Sequence, residues 1–165
     1  MKKKGICLVL AMMLILGMVG STALAGNRPQ SVVSTSVIQL FQGGINLQYE
    51  RVLNPGMSFY ATPSVSFGGG AIGFGATVGI KKYLSPTAPE GFWFGGFGNF
   101  AYASALGISA TAFGGGANVG YKYFLTDRFT LEGSIGLAYE YLSLGPFGGG
   151  GAFGVTYGVN VGYAF

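Results

Sequence analysis

The sequence predicts an all-β fold, an eight-stranded antiparallel up-and-down β-barrel that crosses a membrane with its apolar side outward. Three observations carry this expectation. Residues 151–165 alternate between Phe153, Val155, Tyr157, Val159, Val161, Tyr163, Phe165 and the small or polar Gly154, Thr156, Gly158, Asn160, Gly162, Ala164. Side chains of a strand point alternately to opposite faces, so this is one strand with a greasy face and a small, polar face. It exceeds the roughly 5–6 residues of a usual strand and suffices for the ~9–11 that cross a bilayer at a tilt. Second, 50% of residues are hydrophobic and only 8% are charged, where an ordinary soluble domain has about 25% charged. Third, Gly, Asn, Gln, Ser and Thr break every apolar run after the leader well short of the ~20 residues of a membrane helix. An apolar chain without spanning helices must satisfy its backbone another way, and a closed barrel does so.

The leader, residues 1–25, reads as a secretory signal peptide. Lys2, Lys3 and Lys4 form its basic start, Ile6 to Val19 its apolar core, and Ala23-Leu24-Ala25 its small-x-small cleavage signal. The barrel domain is then 26–165. Cys7 is the single cysteine and lies in the leader, ahead of the cleavage signal, so neither a disulfide framework nor thiol chemistry is expected. Three of the nine basic residues also leave with the leader, against five acidic ones that stay. The formal charge of +4 is therefore mostly leader, and no basic patch for nucleic acid is expected.

The strands follow in order. Ser31 to Phe41 is the weakest pattern and is placed as the first strand because an even count is needed for closure with both chain ends on one side. The alternative is one long strand from about Ser36 to Leu53. After Gln42-Gly43-Gly44, Ile45 to Leu53 sets Ile45, Leu47 and Tyr49 against Asn46, Gln48 and Glu50, and Asn54-Pro55-Gly56 turns the chain. Met57 to Phe67 has Phe59, Val65 and Phe67 outward and Tyr60, Thr62 and Ser64 inward. Pro63 removes a ladder donor there, and a local bulge is the expected remedy. Ala71 to Tyr83 puts Phe74, Val78 and Ile80 outward and Gly73, Gly79 and Lys81 inward. Gly91 to Ala103 is placed with Phe92, Phe94, Phe100 and Tyr102 outward and Trp93, Phe97 and Asn99 inward. Ser104 to Ala110 reads as a loop, Thr111 to Phe124 as a strand, Thr126-Asp127-Arg128 as a turn, Phe129 to Tyr141 as a strand, and Leu142 to Gly150 as a loop before the last strand. Inward glycine leaves room for neighbouring side chains in so small a barrel.

Outward aromatics gather near strand ends: Tyr49, Phe59, Tyr83, Phe92, Tyr121, Tyr123, Phe129, Tyr163 and Phe165 at one rim, and Phe67, Tyr102, Tyr139, Tyr141 and Phe153 toward the other. Two such girdles are expected where a barrel meets two headgroup layers. A tyrosine-rich soluble sandwich would instead carry charge on its outer face.

With its signal peptide, alternating strands, short turns at 54–56 and 126–128 and aromatic last strand, the chain resembles the small outer-membrane β-barrel proteins, the eight-stranded OmpA/OmpX type. The resemblance implies a place in the bacterial cell outer membrane among its lipids. It also implies that the barrel-assembly machinery reads Tyr157, Val159, Val161, Tyr163 and Phe165 as its signal. The loops at 42–44, 68–70, 104–110 and 142–150 are short and glycine-rich, unlike the longer polar loops of adhesive members.

The chain has no histidine. That removes histidine general bases, Ser-His and Cys-His nucleophiles and histidine metal sites. No catalytic residue, cofactor or metal ligand is expected, and the glycine runs lack the strand, helix and lysine context of a phosphate loop. The informative polar set is Glu50, Lys81, Lys122, Glu132 and Glu140, all on the inward phase of their strands; Arg51 and Lys82 fall on the outward phase beside turns. Glu50, Lys81, Lys122 and Glu132 sit four to six residues from turns of one rim, so two anions and two cations are expected at one depth. An interior this narrow holds side chains, not a porin channel, and unpaired charges there would be costly. A charged plug in a non-enzymatic envelope protein, expected as a monomer, is weighed against a narrow pore or transporter for small solutes or apolar molecules. A third possibility, a soluble lipid-binding barrel, would need the opposite faces.

Overall fold

The structure, a computed structural model, describes residues 29–68, 70–105 and 108–165. The leader expected at 1–25 lies outside the described residues. Nine stretches of strand appear: β1 (Ser31–Ser36), β2 (Gly44–Asn46), β3 (Gln48–Asn54), β4 (Met57–Gly68), β5 (Ala71–Tyr83), β6 (Gly91–Ala105), β7 (Ile108–Phe124), β8 (Phe129–Ser143) and β9 (Gly149–Ala164). One α-helix, α1 (Val37–Phe41), follows β1, and a 3₁₀ turn (Gly145–Phe147) precedes β9. Neighbours in the chain pair antiparallel, and β1 pairs with β9, so the sheet closes on itself.

The nine stretches make eight strands, because β2 and β3 are one strand interrupted at Leu47. The interruption comes from Pro63 across the ladder. Leu47 N–H donates to the Pro63 carbonyl at 3.1 Å, but proline has no N–H to return the bond. Register is unchanged across the gap, from Asn46↔Ser64 to Tyr49↔Ala61. The bulge expected at Pro63 is therefore absent: toward β5 the proline pairs with Ala76 in an unbroken register. The register shift on β3 lies instead between Val52 and Asn54, at the turn.

Partners can be followed once round the wall: Val33, Tyr49, Ala61, Val78, Gly98, Gly115, Tyr139, Phe153. The β1–β9 register would bring the path back at position 43, ten residues beyond Val33. With eight strands and that stagger, a rise of ~3.3 Å per residue and a spacing of ~4.8 Å give a tilt of about 40°, in the range at which such barrels close.

The faces follow the alternation. On β9 all of Phe153, Val155, Tyr157, Val159, Val161, Tyr163 and Phe165 are exposed, whereas Ala164 is buried. The same holds for Phe92, Phe94 and Phe100 against Trp93 on β6. Aromatics sit directly opposite one another at both rims. Phe92–Tyr121 and Phe129–Tyr163 have ring centroids 4.5 and 5.5 Å apart at the end holding the described chain termini, here the lower end. Phe113–Tyr141 and Tyr139–Phe153 lie 5.4 and 5.0 Å apart toward the upper end. Such cross-strand pairs contribute about 0.2–1 kcal/mol each.

Four further expectations are corrected. Residues 37–41 of the proposed first strand are helix, because Ser36 caps it by accepting from Gln39 N–H at 3.3 Å and Gly43 follows in the left-handed region at φ +79°. Tyr83, grouped with the outward aromatics, is buried in the lumen, since it shares the phase of Lys81. Tyr49 keeps the phase opposite to lumen-facing Glu50, as expected, but is covered rather than exposed, its hydroxyl 3.2 Å from Ser31 Oγ. The described residues of 104–110 are strand, Ala105 pairing with Ile108, and 142–150 is strand at both ends, Ser143 pairing with Gly149, so the loop there shrinks to residues 144–148.

Candidate functional site: a charge cluster in the lower lumen

Strand phase delivers the charges to one place. Glu50 comes from β3, Lys81 from β5, Lys122 from β7 and Glu132 from β8. Lys122 and Glu132 are direct cross-strand partners over the 125–128 turn. The shear of the barrel brings Glu50 and Lys81 to the same depth from the opposite wall. Lys81 Nζ lies 2.8 Å from Glu50 Oε2 and 2.7 Å from Glu132 Oε2. Lys122 Nζ lies 2.8 Å from Glu132 Oε2 and also contacts Glu50 Oε2. Each lysine thus bridges both carboxylates, and the four charges sum to zero.

All four are buried: Glu50 is 0% exposed, Lys81 and Lys122 1%, Glu132 3%. A charge so far from water is tolerable only when paired and hydrogen-bonded, and the second oxygen of Glu50 is satisfied too. Ser58 Oγ donates to Glu50 Oε1 at 2.6 Å and the Tyr83 hydroxyl donates to the same oxygen at 2.7 Å. Lys81 Nζ lies 4.5 Å from the Trp93 ring centre and 5.2 Å from that of Tyr60, a cation–π arrangement. The cluster is roofed by aromatic rings for which glycine makes the space. A Cβ on Gly120 would come within 2.5 Å of Trp93, one on Gly79 within 2.6 Å of Tyr60, and one on Gly116 within 2.9 Å of Phe97.

Ser58, Tyr60, Tyr83 and Trp93 complete the cluster and were not singled out from the sequence as its members. The alternation sets Tyr60 and Trp93 inward, and Ser58 shares the phase of Tyr60. The odd phase shared by Lys81 and Tyr83 is the signal that would have found the fourth. Glu140, grouped by phase with the other inward charges, stands apart. It is exposed and accepts from Asn99 Nδ2 at 2.7 Å. Eight residues along β8 from Glu132 is about 26 Å at ~3.3 Å per residue, too far to join.

Above the cluster the lumen is lined by neutral polar groups. Ser34 Oγ, Gln48 Nε2, Thr62 Oγ1, Asn99 Oδ1 and Asn118 Oδ1 are buried with no hydrogen-bond partner among the described residues. Gly154 on β9 faces open space, with nothing within 4 Å of an added Cβ. Chemically the lower site is a closed ionic plug. Both carboxylates are held between ammonium groups, and no cluster of three metal-ligating side chains occurs among the described residues. The five residues Tyr157, Val159, Val161, Tyr163 and Phe165 line up on the outer face of β9, which pairs with β8 on one side and β1 on the other.

No family model matches the sequence, and no curated protein matches it. Among solved structures, the chain is similar to the crystal structure of the N-terminal β-barrel domain of OprF from Pseudomonas aeruginosa. The two are 12% identical, the match covers 84% of this chain and 98% of that one, and the TM-score is 0.47.

Proposed function

We propose that this chain is an integral barrel of the bacterial outer membrane with a non-enzymatic role in envelope integrity, its lumen shut by the four-residue ionic plug. The observation that carries the reading is the division of the wall: a belt of exposed Phe, Val, Leu, Ile and Tyr outside, and a neutralised, fully buried charge cluster inside. An outer surface so apolar on a closed sheet needs hydrocarbon around it rather than water. Membrane lipids are then its first partners, and the barrel-assembly machinery, reading the last strand, its second. It acts as a monomer, binds no nucleic acid and holds no cofactor. With no histidine in the chain and the lower carboxylates neutralised by lysine, no nucleophile, base and orienting group come together among the described residues.

Membrane extraction tests the reading directly. The protein should need detergent to leave the membrane and should run faster on a gel unboiled than boiled; release by salt or carbonate alone would refute it. A second reading, a narrow pore, is favoured by the unpartnered polar groups above the plug, which suit a hydrated path. Planar-bilayer recording separates the two. The plug reading expects no conductance steps from the wild-type barrel, and regular steps would favour the pore.

A further inference from the structure

Among the described strands, the outward phase carries two charges, Arg51 on β3 and Lys82 on β5. Their immediate predecessors, Glu50 and Lys81, meet in the lumen at 2.8 Å. Both strands run downward, so one residue further along each, on the opposite face, Arg51 and Lys82 also share one depth. β4 lies between them, with Phe59 opposite Arg51 and Met57 opposite Lys82. Two strand spacings of ~4.8 Å and a two-residue offset at ~3.3 Å per residue put the two Cα atoms about 12 Å apart. A group midway is then about 6 Å from each, within reach of both side chains. Neither cation is paired with an acid: the salt bridges among the described residues all lie within the plug. The acids of the lower turns, Glu90 and Asp127, line a recess in the lower mouth that includes neither Arg51 nor Lys82. Lys82 is exposed, and its Nζ lies 3.4 Å from the place of a Cβ on Gly56, at the turn beneath the pair. Arg128, by contrast, is engaged, donating to the Tyr163 hydroxyl at 2.7 Å.

We propose that Arg51 and Lys82 form a binding site for an anionic phospholipid of the lower leaflet, its phosphate held between the guanidinium and the ammonium. The inference rests on the membrane reading above. Lys82 pairs with Phe94, one outward position above Phe92 of the lower aromatic rim, so the pair sits at the level of the headgroups. A guanidinium presents a planar fork to phosphate oxygens and an ammonium a point charge, and both bonds are charge-assisted. Two cations repel a head that carries its own ammonium or choline, so a head with net negative charge is preferred. One acyl chain has a place directly above. The outward positions of β4 past Phe59 shrink to Ala61 and Pro63, and Pro63 pairs with Ala76 on β5. These small side chains leave a shallow trough along the wall, edged by Val78, the partner of Ala61. The site belongs to the lower leaflet because no lysine or arginine occurs above the plug among the described residues.

The test uses the full chain with Cys7→Ser, folded into phosphatidylcholine vesicles and labelled with bimane at Val78→Cys, on the edge of the trough, or at Val119→Cys on the β7 wall; both positions are outward and exposed. The quencher is phosphatidylglycerol or phosphatidylcholine with a nitroxide on one acyl chain. Quenching at 119 should be alike for the two lipids, and its occurrence tests the membrane reading alone. At 78, phosphatidylglycerol should reach half-maximal quenching at a mole fraction about tenfold lower than phosphatidylcholine, the scale of two cations acting at a membrane surface. Arg51→Ala with Lys82→Ala should erase that difference while the unboiled gel shift persists. Equal curves for the two lipids at 78, the same preference at 119, or a preference that survives the double substitution overturns the site while leaving the membrane reading intact. Inorganic phosphate should weaken the preference no more than sodium chloride of equal ionic strength; a specific loss would show that the pair takes free phosphate and would overturn the lipid assignment. No quenching at either position overturns the membrane reading and the site with it.

Discussion

The lower and upper halves of this barrel solve the same packing problem in opposite ways. Below, each wall contributes: β3, β5, β7 and β8 send in charges, β4 a serine and a tyrosine, β6 a tryptophan, and glycines recede to fit the rings. Above, the lumen face of β9 meets open space at Gly154, polar atoms on β1, β3, β4, β6 and β7 have no described partner, and one flank of the wall is a five-residue helix instead of strand. The difference teaches that stability and accessibility are separated along the axis. Close packing is concentrated where charge would otherwise be costly, and open space is left above it.

The comparison can be broken most forcefully at Glu132. Reversal to lysine places a third cation among three buried charges, and loss of a buried partner costs about 3–5 kcal/mol. Glu132→Lys should fail to fold or should unfold at much lower urea in the gel-shift assay. Adding Lys122→Glu restores two charges of each sign and should recover most of the loss; an unrescued double variant would count against the cluster as the stabilising unit. Next in size is a pair of glycine substitutions. Gly120→Val drives a side chain into Trp93 and the Gly133 carbonyl and should cost about 1–3 kcal/mol by overpacking. Gly154→Val, on a lumen-facing position of the upper half, should change stability by under about 0.5 kcal/mol. Similar losses at both sites would erase the distinction between the halves.

Ser58→Ala sharpens the comparison further. It takes one donor from the buried Glu50 carboxylate and should cost about 1–3 kcal/mol, whereas Thr62→Ala, on the same strand and face but without a described partner, should be nearly neutral. The smallest effect is expected at Pro63→Ala, which returns a donor toward Leu47 while loosening the unfolded chain. Stability should move by less than about 1 kcal/mol, and the amide that the substitution creates should be protected in hydrogen exchange; rapid exchange there would show the ladder still open.

Seven strands and the facing of most of them were legible because alternation is a local, period-two property written into each segment; the first strand followed from the even count that closure needs. Val159 and Asn160 could be assigned to opposite faces from their neighbours alone. The exceptions were legible only in part. Ser36 and Gly43 carry the start and stop of α1, but Val37 and Ile38 between them read as strand, and local capping outweighed β propensity over so few residues. Pro63 announced a missing donor, yet whether the defect became a bulge or a gap depended on which neighbour its nitrogen faced.

By itself the sequence determined a closed sheet with an oily exterior, since an apolar chain interrupted by glycine has no other way to satisfy its backbone away from water. It also set five ionic side chains on the inner phase. Their distance from the turns also put four of them at one depth, but that each lysine reaches both carboxylates was decided by the ten-residue stagger on closure, a property of all eight strands together and of no segment alone. The same closure decided that β9 outruns β1, and so placed a short helix on one flank of the wall.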